Sequence, residues 1–449
     1  MTAAKDEPLR RDIGFFGSAF LSFNGVVGAG IFALPGTLYL QFGAFSPLLF
    51  PLFGLLVLVI ALPFSRVAAL HPVSGGPVVY AAAFGPAAAF QAGWIYYVAR
   101  ASALAANTTV LVTYLSRWWP PLAGTLPRAA VILAVCGALT FVNIVGVKRA
   151  VRFLDALTLL KAAPLLFVAV LGLVLAGGAI EPPGPLPPLT ELEAAALLIL
   201  YAFVGFENSV VPAGETTNAS RTVPRALIAT IVATAGLYFL VQLSYVAVME
   251  PGVGGDAPMV AFGEALMGPA GALLLTAAAV FSLLGNICGG ITGSTRTTYA
   301  LGRDGLLPAW FGRVSERYAT PANSILFMGG LIALLALSGS FVWLAIVSTL
   351  ARMIVYSLSI AALPKAERGR PIVWLMVVAA LAVCLWAALQ SAWPSWRMLL
   401  ILAGVGTLLY LVARAAGPRG GASVRGADVE GDGDPFSPGP GGDGVVRHE

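Results

Sequence analysis

Long apolar runs separated by short polar segments recur from residue 13 to residue 415. A run of about 20 apolar residues is long enough to cross the hydrocarbon core of a bilayer as a helix. The pattern therefore predicts an all-α polytopic membrane protein with about twelve transmembrane helices. The predicted helices cover 13–40, 43–70, 86–116, 128–147, 152–178, 192–213, 225–249, 270–300, 321–339, 341–363, 371–390 and 397–415.

The first apolar run is interrupted by glycines and a proline, at Gly25, Gly28, Gly30 and Pro35. These residues weaken a helix, and irregular backbone at membrane depth is tolerated only where it is buried in protein or lines a cavity. The N–H groups that begin the following half-helix favour an anion. We therefore expect a transporter that holds a substrate carboxylate here. The alternative is that the glycines only let two helices pack closely.

The sixth apolar run repeats this spacing, because Pro212 follows Gly205 by seven residues, as Pro35 follows Gly28. Two interrupted segments at equivalent positions predict an inverted-repeat transporter with its binding site between the breaks. The predicted organisation is a cytoplasmic N-terminus (1–12), two five-helix repeats (13–178 and 192–363), helices 11 and 12 (371–415) and a disordered cytoplasmic tail (416–449).

Composition and charge placement agree with a membrane protein. The chain is 58% hydrophobic and 10% charged, which excludes an ordinary soluble domain. Its net charge of +5 does not indicate nucleic-acid binding, since the basic residues concentrate in loops on one predicted side. This asymmetry predicts both termini in the cytoplasm and a location in the cell (inner or plasma) membrane. The basic side includes Arg66, Arg221, Arg296, Arg303 and Lys365, and the other side carries Arg117, Arg128 and Arg397.

Cysteine and histidine placement argues against a disulfide framework, a metal site or an embedded enzyme. Cys136, Cys288 and Cys384 lie in separate apolar runs, which favours buried thiols. His71 and His448 lie in a loop and in the tail, so we expect neither metal nor cofactor. No intramembrane histidine or nucleophile-plus-base arrangement suggests catalysis. The polar first twelve residues lack a cleavage signature, so no removable signal peptide is expected.

Two charged residues in the apolar runs are candidates for coupling or gating. Glu207 is an acid deep in the predicted membrane, where it must be paired, hydrogen-bonded or protonated. Its alternative role is to support the broken helix through a structural hydrogen bond. Lys161 lies about two and a half turns into its helix, where it would carry a proton or act as a fixed charge in place of a bound cation. Snorkelling to the interface is the alternative for this lysine.

Further polar and aromatic residues surround the predicted breaks. Arg100 and Arg352 need an acceptor, which would be Glu207, a substrate carboxylate or helix-end carbonyls, and the sequence does not decide between them. Asn107 either lines the pocket or bonds to a neighbouring helix. Around the second break, aromatic side chains either close over a substrate or pack in the core, and these are Tyr201, Phe203 and Phe206.

Five motifs, in order and at comparable spacing, resemble those of the amino acid–polyamine–organocation (APC) superfamily of permeases. The resemblance covers nearly all of residues 10–370. The motifs are Gly28-Ala29-Gly30-Ile31-Phe32 with Pro35, Pro72-Val73-Ser74-Gly75-Gly76-Pro77 with Tyr80, Phe203-Val204-Gly205-Phe206-Glu207, Glu215-Thr216-Thr217-Asn218 with Arg221 and Pro224, and residues 300–308 with Thr320-Pro321.

The resemblance implies a LeuT-type 5+5 inverted repeat plus two C-terminal helices. It implies a carboxylate site at Val27, Gly28, Ala29 and Gly30, and an amine site at carbonyls near Phe203 to Gly205. It also implies a gate aromatic at Tyr201, and Lys161 matches the lysine of sodium-independent members. The chain departs from the family in having Ala29 where serine is frequent, and Cys288-Gly289-Gly290 where some members place a bulky aromatic. We expect a roomier or differently closed pocket.

Together these features predict a sodium-independent amino acid permease that works by alternating access and is proton-coupled or an exchanger. Neutral L-amino acids are the expected substrates, and protons and the lipid bilayer are the other expected partners. We expect no cofactor and no enzymatic activity, and both monomer and homodimer are compatible with the sequence. The alternatives are a transporter of cationic amino acids or polyamines, an exporter, and a sensor that binds an amino acid without moving it.

Overall fold

The computed structural model describes residues 11–73, 75–146, 148–177, 181–367 and 369–416, without the side chains of 148–160. The first ten residues and the tail from 417, predicted as a cytoplasmic N-terminus and a disordered tail, lie outside the described residues. The described residues form sixteen α-helices: α1 (Phe15–Val26), α2 (Ala29–Phe42), α3 (Ser46–Leu70), α4 (Pro77–Ala81), α5 (Pro86–Ser116), α6 (Thr125–Val145), α7 (Lys148–Leu175), α8 (Leu189–Tyr201), α9 (Ala219–Val248), α10 (Pro258–Met267), α11 (Pro269–Arg303), α12 (Ala322–Ser338), α13 (Phe341–Ile360), α14 (Leu363–Ala366), α15 (Pro371–Leu389) and α16 (Trp393–Ala415).

The helices have the length and polarity of a membrane bundle. Within the described ranges, eight helical stretches are long and apolar enough to cross a bilayer, and four shorter apolar helices accompany them. Large apolar side chains are exposed on outer helices, such as Phe141 on α6 and Leu375 on α15. Polar groups such as Gln242 and Arg352 are buried instead. This inverted distribution suits lipid as the solvent, so the chain is an integral multi-pass all-α protein.

Most predicted helices are confirmed, and the sixth differs. α5 covers the predicted 86–116, and α10 occupies the connection between α9 and α11. The sixth helix, predicted over 192–213 with an interruption at Gly205, ends as an α-helix at Tyr201, so its predicted end was wrong while the interruption is confirmed. Gly205 has φ of 113°, outside the right-handed helical region, and short 3₁₀ turns follow at Phe206–Ser209 and Ala213–Glu215. The α-helix therefore does not resume until α9.

Helix packing follows the order expected of two related halves. α3 packs along α9, α5 along α11 and α6 against α12, and each pair occupies equivalent positions of the predicted repeats. The contact of α5 with α13 is likewise matched by the contact of α11 with α7. The pairing is the one expected of an inverted repeat, while the repeat boundaries stay a prediction.

The two helix breaks lie against each other. α1 and α2 are separated by Val27 and Gly28, and Gly28 has φ of −126° and ψ of −143°. A Cβ added to Gly205 would lie 2.4 Å from the carbonyl carbon of Gly25, so this approach requires glycine. A Cβ on Gly30 would similarly lie 3.1 Å from Cα of Ala202. The predicted first break is thus confirmed, and it touches the second.

A backbone connection joins the segments beside the two breaks at one end of the bundle. The Ile13 N–H donates to the Glu215 carbonyl at 3.1 Å, and the Thr217 N–H donates to the Ile13 carbonyl at 2.9 Å. These bonds form an isolated parallel bridge between Ile13 and Thr216. The start of α1 is therefore tied to the loop that follows the second break.

Candidate functional site

Two adjoining cavities lie beside the breaks. The vestibule, of about 300 Å³, extends from Glu215 and Arg296 to Asn24, and Arg296 is exposed at its mouth. The central cavity, of about 20 Å³, lies between the first break and the second and is lined by Gly28, Ala29, Gly30, Tyr201 and Gly205. The central cavity has room for about one water molecule. The wall common to both cavities is formed by Gly25, Arg100 and Asn286.

Lys161 fills the first break. Its Nζ donates to the carbonyl of Asn24 at 2.9 Å, to the carbonyl of Val27 at 3.1 Å, and to the side-chain oxygen of Asn24. Lys161 is only 1% exposed, so it does not snorkel to an interface in this conformation. Its Nζ thus lies among the carbonyl oxygens of the first break.

Side chains from two other helices satisfy the remaining carbonyls of the first break. Tyr238 of α9 donates to the Val26 carbonyl at 3.2 Å, and Ser282 of α11 donates to the Val27 carbonyl at 3.1 Å. Asn286 of α11 donates to the carbonyls of Asn24 and Gly25 at 2.9 and 3.2 Å. Each unwound carbonyl from 24 to 27 therefore has a donor, as buried backbone requires.

Asn107 connects the start of α2 to this network. Its Oδ1 accepts a hydrogen bond from the Ala29 N–H at 2.9 Å, and its Nδ2 donates to Asn286 Oδ1 at 2.9 Å. The first N–H groups of a helix have no acceptor within the helix. Asn107 takes one of them, and Gly30, one residue further along, lines the central cavity.

Glu207 supports the second break. One carboxylate oxygen accepts the Gly205 N–H at 3.0 Å, and the other accepts Nε of Arg352 at 3.0 Å. Arg352 also donates to the Ala99 carbonyl at 3.1 Å and to the Ser348 hydroxyl. The carboxylate and the guanidinium are 0% and 1% exposed. The structure thereby identifies Arg352 as the partner of Glu207, a choice that the sequence left open.

The remaining candidates divide between the cavities and the core. Arg100 is half-buried and donates to Asn208 Oδ1 and, at 3.3 Å, to the Ser294 hydroxyl. Tyr201 lines the central cavity, and its ring meets Phe341 edge-on at 5.7 Å. The side chains of Phe203 and Val27 are buried and line neither cavity.

Several residues of the network were missed by sequence reasoning. Asn24, Asn286 and Asn208 are amides within or beside apolar runs, and an intramembrane amide is expected to have a hydrogen-bond partner. That signal was available for the three asparagines. Ser282 carries no such signal, because serine hydroxyls within membrane helices frequently bond only to their own backbone. Tyr238 carries none either, because a tyrosine in an apolar run is equally compatible with packing in the core.

Comparison with known families decides the class of protein. A family model described as amino acid permease matches residues 13–424. The chain belongs to the amino acid permease family. It is therefore an APC permease with a membrane-embedded transport fold, and the resemblance of its five motifs is confirmed.

Individual permeases and transporters resemble the chain over most of its length. A branched-chain amino acid permease of Bacillus subtilis is 26% identical over 441 residues, 91% of this chain and 94% of that protein. A methylthioribose transporter of the same organism is 25% identical over 445 residues, again 91% and 94%. A cadaverine/lysine antiporter of Escherichia coli is 28% identical over 316 residues, 68% of this permease and 70% of the antiporter.

Proposed function

We propose that this permease is a secondary active transporter of L-α-amino acids that works by alternating access. The observation that carries the proposal is the meeting of two broken helices at the central cavity, which Gly30 and Gly205 both line. A helix N-terminus and an unwound segment supply opposite partial charges, which suit the carboxylate and the ammonium of one zwitterion. The substrate carboxylate binds near Gly28 to Gly30, and the ammonium binds near the carbonyls from Phe203 to Gly205.

The structure corresponds to a state that is open on one side. The vestibule leads from the central cavity to the face of Glu215 and Arg296, while Tyr201 and Phe341 pack together beyond the cavity. This face carries the excess of basic loop residues, so we place it and both termini in the cytoplasm. The conformation is then inward-open. Closure of the vestibule and separation of Tyr201 from Phe341 would produce the outward-open state.

Lys161 supports sodium-independent transport. Its ammonium donates to the carbonyls of Asn24 and Val27, which are the groups that a sodium ion would need as ligands. Proton release from Lys161 would free these carbonyls and loosen the first break. Transport is therefore coupled either to protons, through protonation and deprotonation of Lys161, or to the exchange of a second amino acid. The Glu207–Arg352 pair acts in gating, because it holds the second break.

Neutral L-amino acids are the first proposed substrates. The central cavity is lined largely by glycine, alanine and uncharged polar groups, together with Arg100 and Arg352. Because Arg352 is paired with Glu207, Arg100 leaves the site with one excess positive charge, which disfavours cationic amino acids and polyamines, the alternative substrates. The branched-chain permease and the cadaverine/lysine antiporter are comparably similar in sequence, so sequence similarity does not favour either substrate class and the charges of the site do.

Binding and transport experiments test the proposal separately. A native-state ligand raises the stability of the purified protein by about 2.7 kcal/mol at a hundredfold excess over its dissociation constant. We expect thermal shifts with neutral L-amino acids and none with their amides, which lack the carboxylate. Uptake of the same amino acids into proteoliposomes then distinguishes a transporter from a sensor. Thermal shifts with polyamines alone, or binding without uptake, would contradict the proposal.

A further inference from the structure

We infer that this permease also transports L-amino acids whose side chain ends in a carboxylate, with Arg100 as the group that recognises it. The inference rests on the proposed function and adds a substrate class to it. Its starting point is the position of Arg100, on the wall that the central cavity and the vestibule share. A charged group at that position contacts whatever passes between the two.

Arg100 forms hydrogen bonds but no direct ion pair within the part of the chain that the structure describes. Its partners, the Asn208 side-chain oxygen and the Ser294 hydroxyl, are both uncharged. Among the residues that the structure describes, the ion pairs with nitrogen and oxygen within 4.0 Å do not include Arg100. The buried carboxylate of this region, Glu207, is already engaged by Arg352. Two guanidinium groups thus accompany one carboxylate around the second break.

An excess positive charge in this setting attracts an anion. A guanidinium stays charged, and its charge is costly in a partly desolvated site unless a counter-charge is present. A zwitterionic neutral amino acid brings no net charge to the site. An amino acid with a side-chain carboxylate brings one negative charge, which matches the excess.

Arg100 also has donors that remain available for such a carboxylate. A guanidinium carries five N–H donors, and the two hydrogen bonds to Asn208 and Ser294 use one on Nη1 and the one on Nε. Nη2 lies 3.9 Å from the position of a Cβ added to Gly293, a residue of the vestibule wall. Because Gly293 has no side chain, no Cβ of this residue covers that side of Nη2. The remaining N–H groups suit the two oxygens of a carboxylate.

The spacing along α5 suits a substrate with two carboxylates. Asn107, which holds the start of α2, and Arg100 lie seven residues apart on α5, about 10 Å at the α-helical rise, and both line the central cavity. The arginine side chain spans part of that distance. An α-carboxylate at α2 and a side-chain carboxylate at Arg100 would then lie at the two ends of one bound amino acid.

L-Glutamate and L-glutamine form the matched ligand pair for the test, because they differ by one charge at nearly constant shape. Purified full-length protein is reconstituted in proteoliposomes, and counterflow is measured for both ligands and for the neutral amino acid with the largest thermal shift. We expect glutamate transport by the wild type. Arg100→Gln should lower it at least about tenfold while changing neutral transport less than about threefold. Arg117→Gln, which removes an exposed arginine paired with Glu264, is the control and should leave both unchanged.

The outcomes separate the inference from the proposed function. Movement of neutral amino acids without glutamate would overturn the inference and leave the proposed function intact. Movement of glutamate that Arg100→Gln reduces no more than neutral transport would overturn the role of Arg100. If no amino acid moves, the proposed function itself fails. Should Arg100→Gln not fold, Arg100→Met decides, because it also removes the charge: a selective loss of glutamate transport supports the inference, and an equal change in glutamate and neutral transport overturns it.

Discussion

Both helix breaks leave backbone groups without a partner in their own helix, and different side chains satisfy those groups at each break. The carbonyls of the first break accept hydrogen bonds from Lys161, Tyr238, Ser282 and Asn286, which belong to three other helices. The second break is held by Glu207, two residues beyond Gly205, and this carboxylate is fixed by Arg352. The Phe206 carbonyl of the second break also accepts the hydroxyl of Ser22 at 2.6 Å. The first break is therefore supported by one ammonium and several uncharged donors, whereas the support of the second includes a buried ion pair.

This difference indicates how each break responds to change. A distributed network loses one hydrogen bond at a time, and the net contribution of each is about 1 kcal/mol. A buried ion pair that loses one partner leaves an uncompensated charge. The second break should thus be the more brittle of the two, and the first should be the one that rearranges when a proton or a substrate binds.

The largest expected effect comes from Glu207→Ala. The substitution leaves Arg352 buried without its carboxylate, and the free energy of unfolding should fall by about 3–5 kcal/mol. Thermal and denaturant unfolding in detergent measure this loss. The double variant Glu207→Leu/Arg352→Met, which removes both charges, should be less destabilised than Glu207→Ala. Equal stability of the single and double variants would mean that the ion pair is not what holds the second break.

A smaller effect is expected from Gly205→Ala, which tests the contact between the breaks. The new Cβ would overlap the backbone of Gly25 and would sit on a residue with φ of 113°. Strain and overpacking together should cost about 2–4 kcal/mol of unfolding free energy. Gly236→Ala is the matched control, since no neighbouring atom lies within 4 Å of its added Cβ. If both variants unfold alike, the close approach of Gly25 and Gly205 does not matter for stability.

The smallest loss of stability is expected from Lys161→Ala, because Asn286 and Ser282 still donate to the first break. The free energy of unfolding should fall by about 1–3 kcal/mol, which is the cost of losing a donor to buried acceptors. Transport should change more than stability. Relative to the wild type, the variant should lose much more of its accumulation driven by a proton gradient than of its substrate counterflow. Both are measured in the same proteoliposomes. Uptake with the pH dependence of the wild type would contradict the coupling role of Lys161.

The sequence predicted the location of the breaks better than what supports them. Gly28 and Gly205 were identified because glycine opposes a membrane helix whatever surrounds it. The partner of Glu207 was not identified, since Arg100 and Arg352 lie at similar depth and the pattern does not say which helix faces contact each other. The end of α8 at Tyr201 was missed because the break was expected at Gly205 itself, and residues 202–204 (Ala-Phe-Val) carry no signal that ends a helix. Hydropathy indicates how deep a residue lies in the membrane. Whether residues 202–213 form a helix or turns depends instead on their contacts with α1.

The bridge between Ile13 and Thr216 bears on mutational robustness. Both of its hydrogen bonds run from main chain to main chain, so neither depends on the identity of a side chain. Substitution at Ile13 or Thr217 preserves the connection unless the new residue is proline, which lacks the N–H donor. The chain can therefore diversify its surface around the vestibule mouth while the first half-helix and the loop beyond the second break remain mechanically linked.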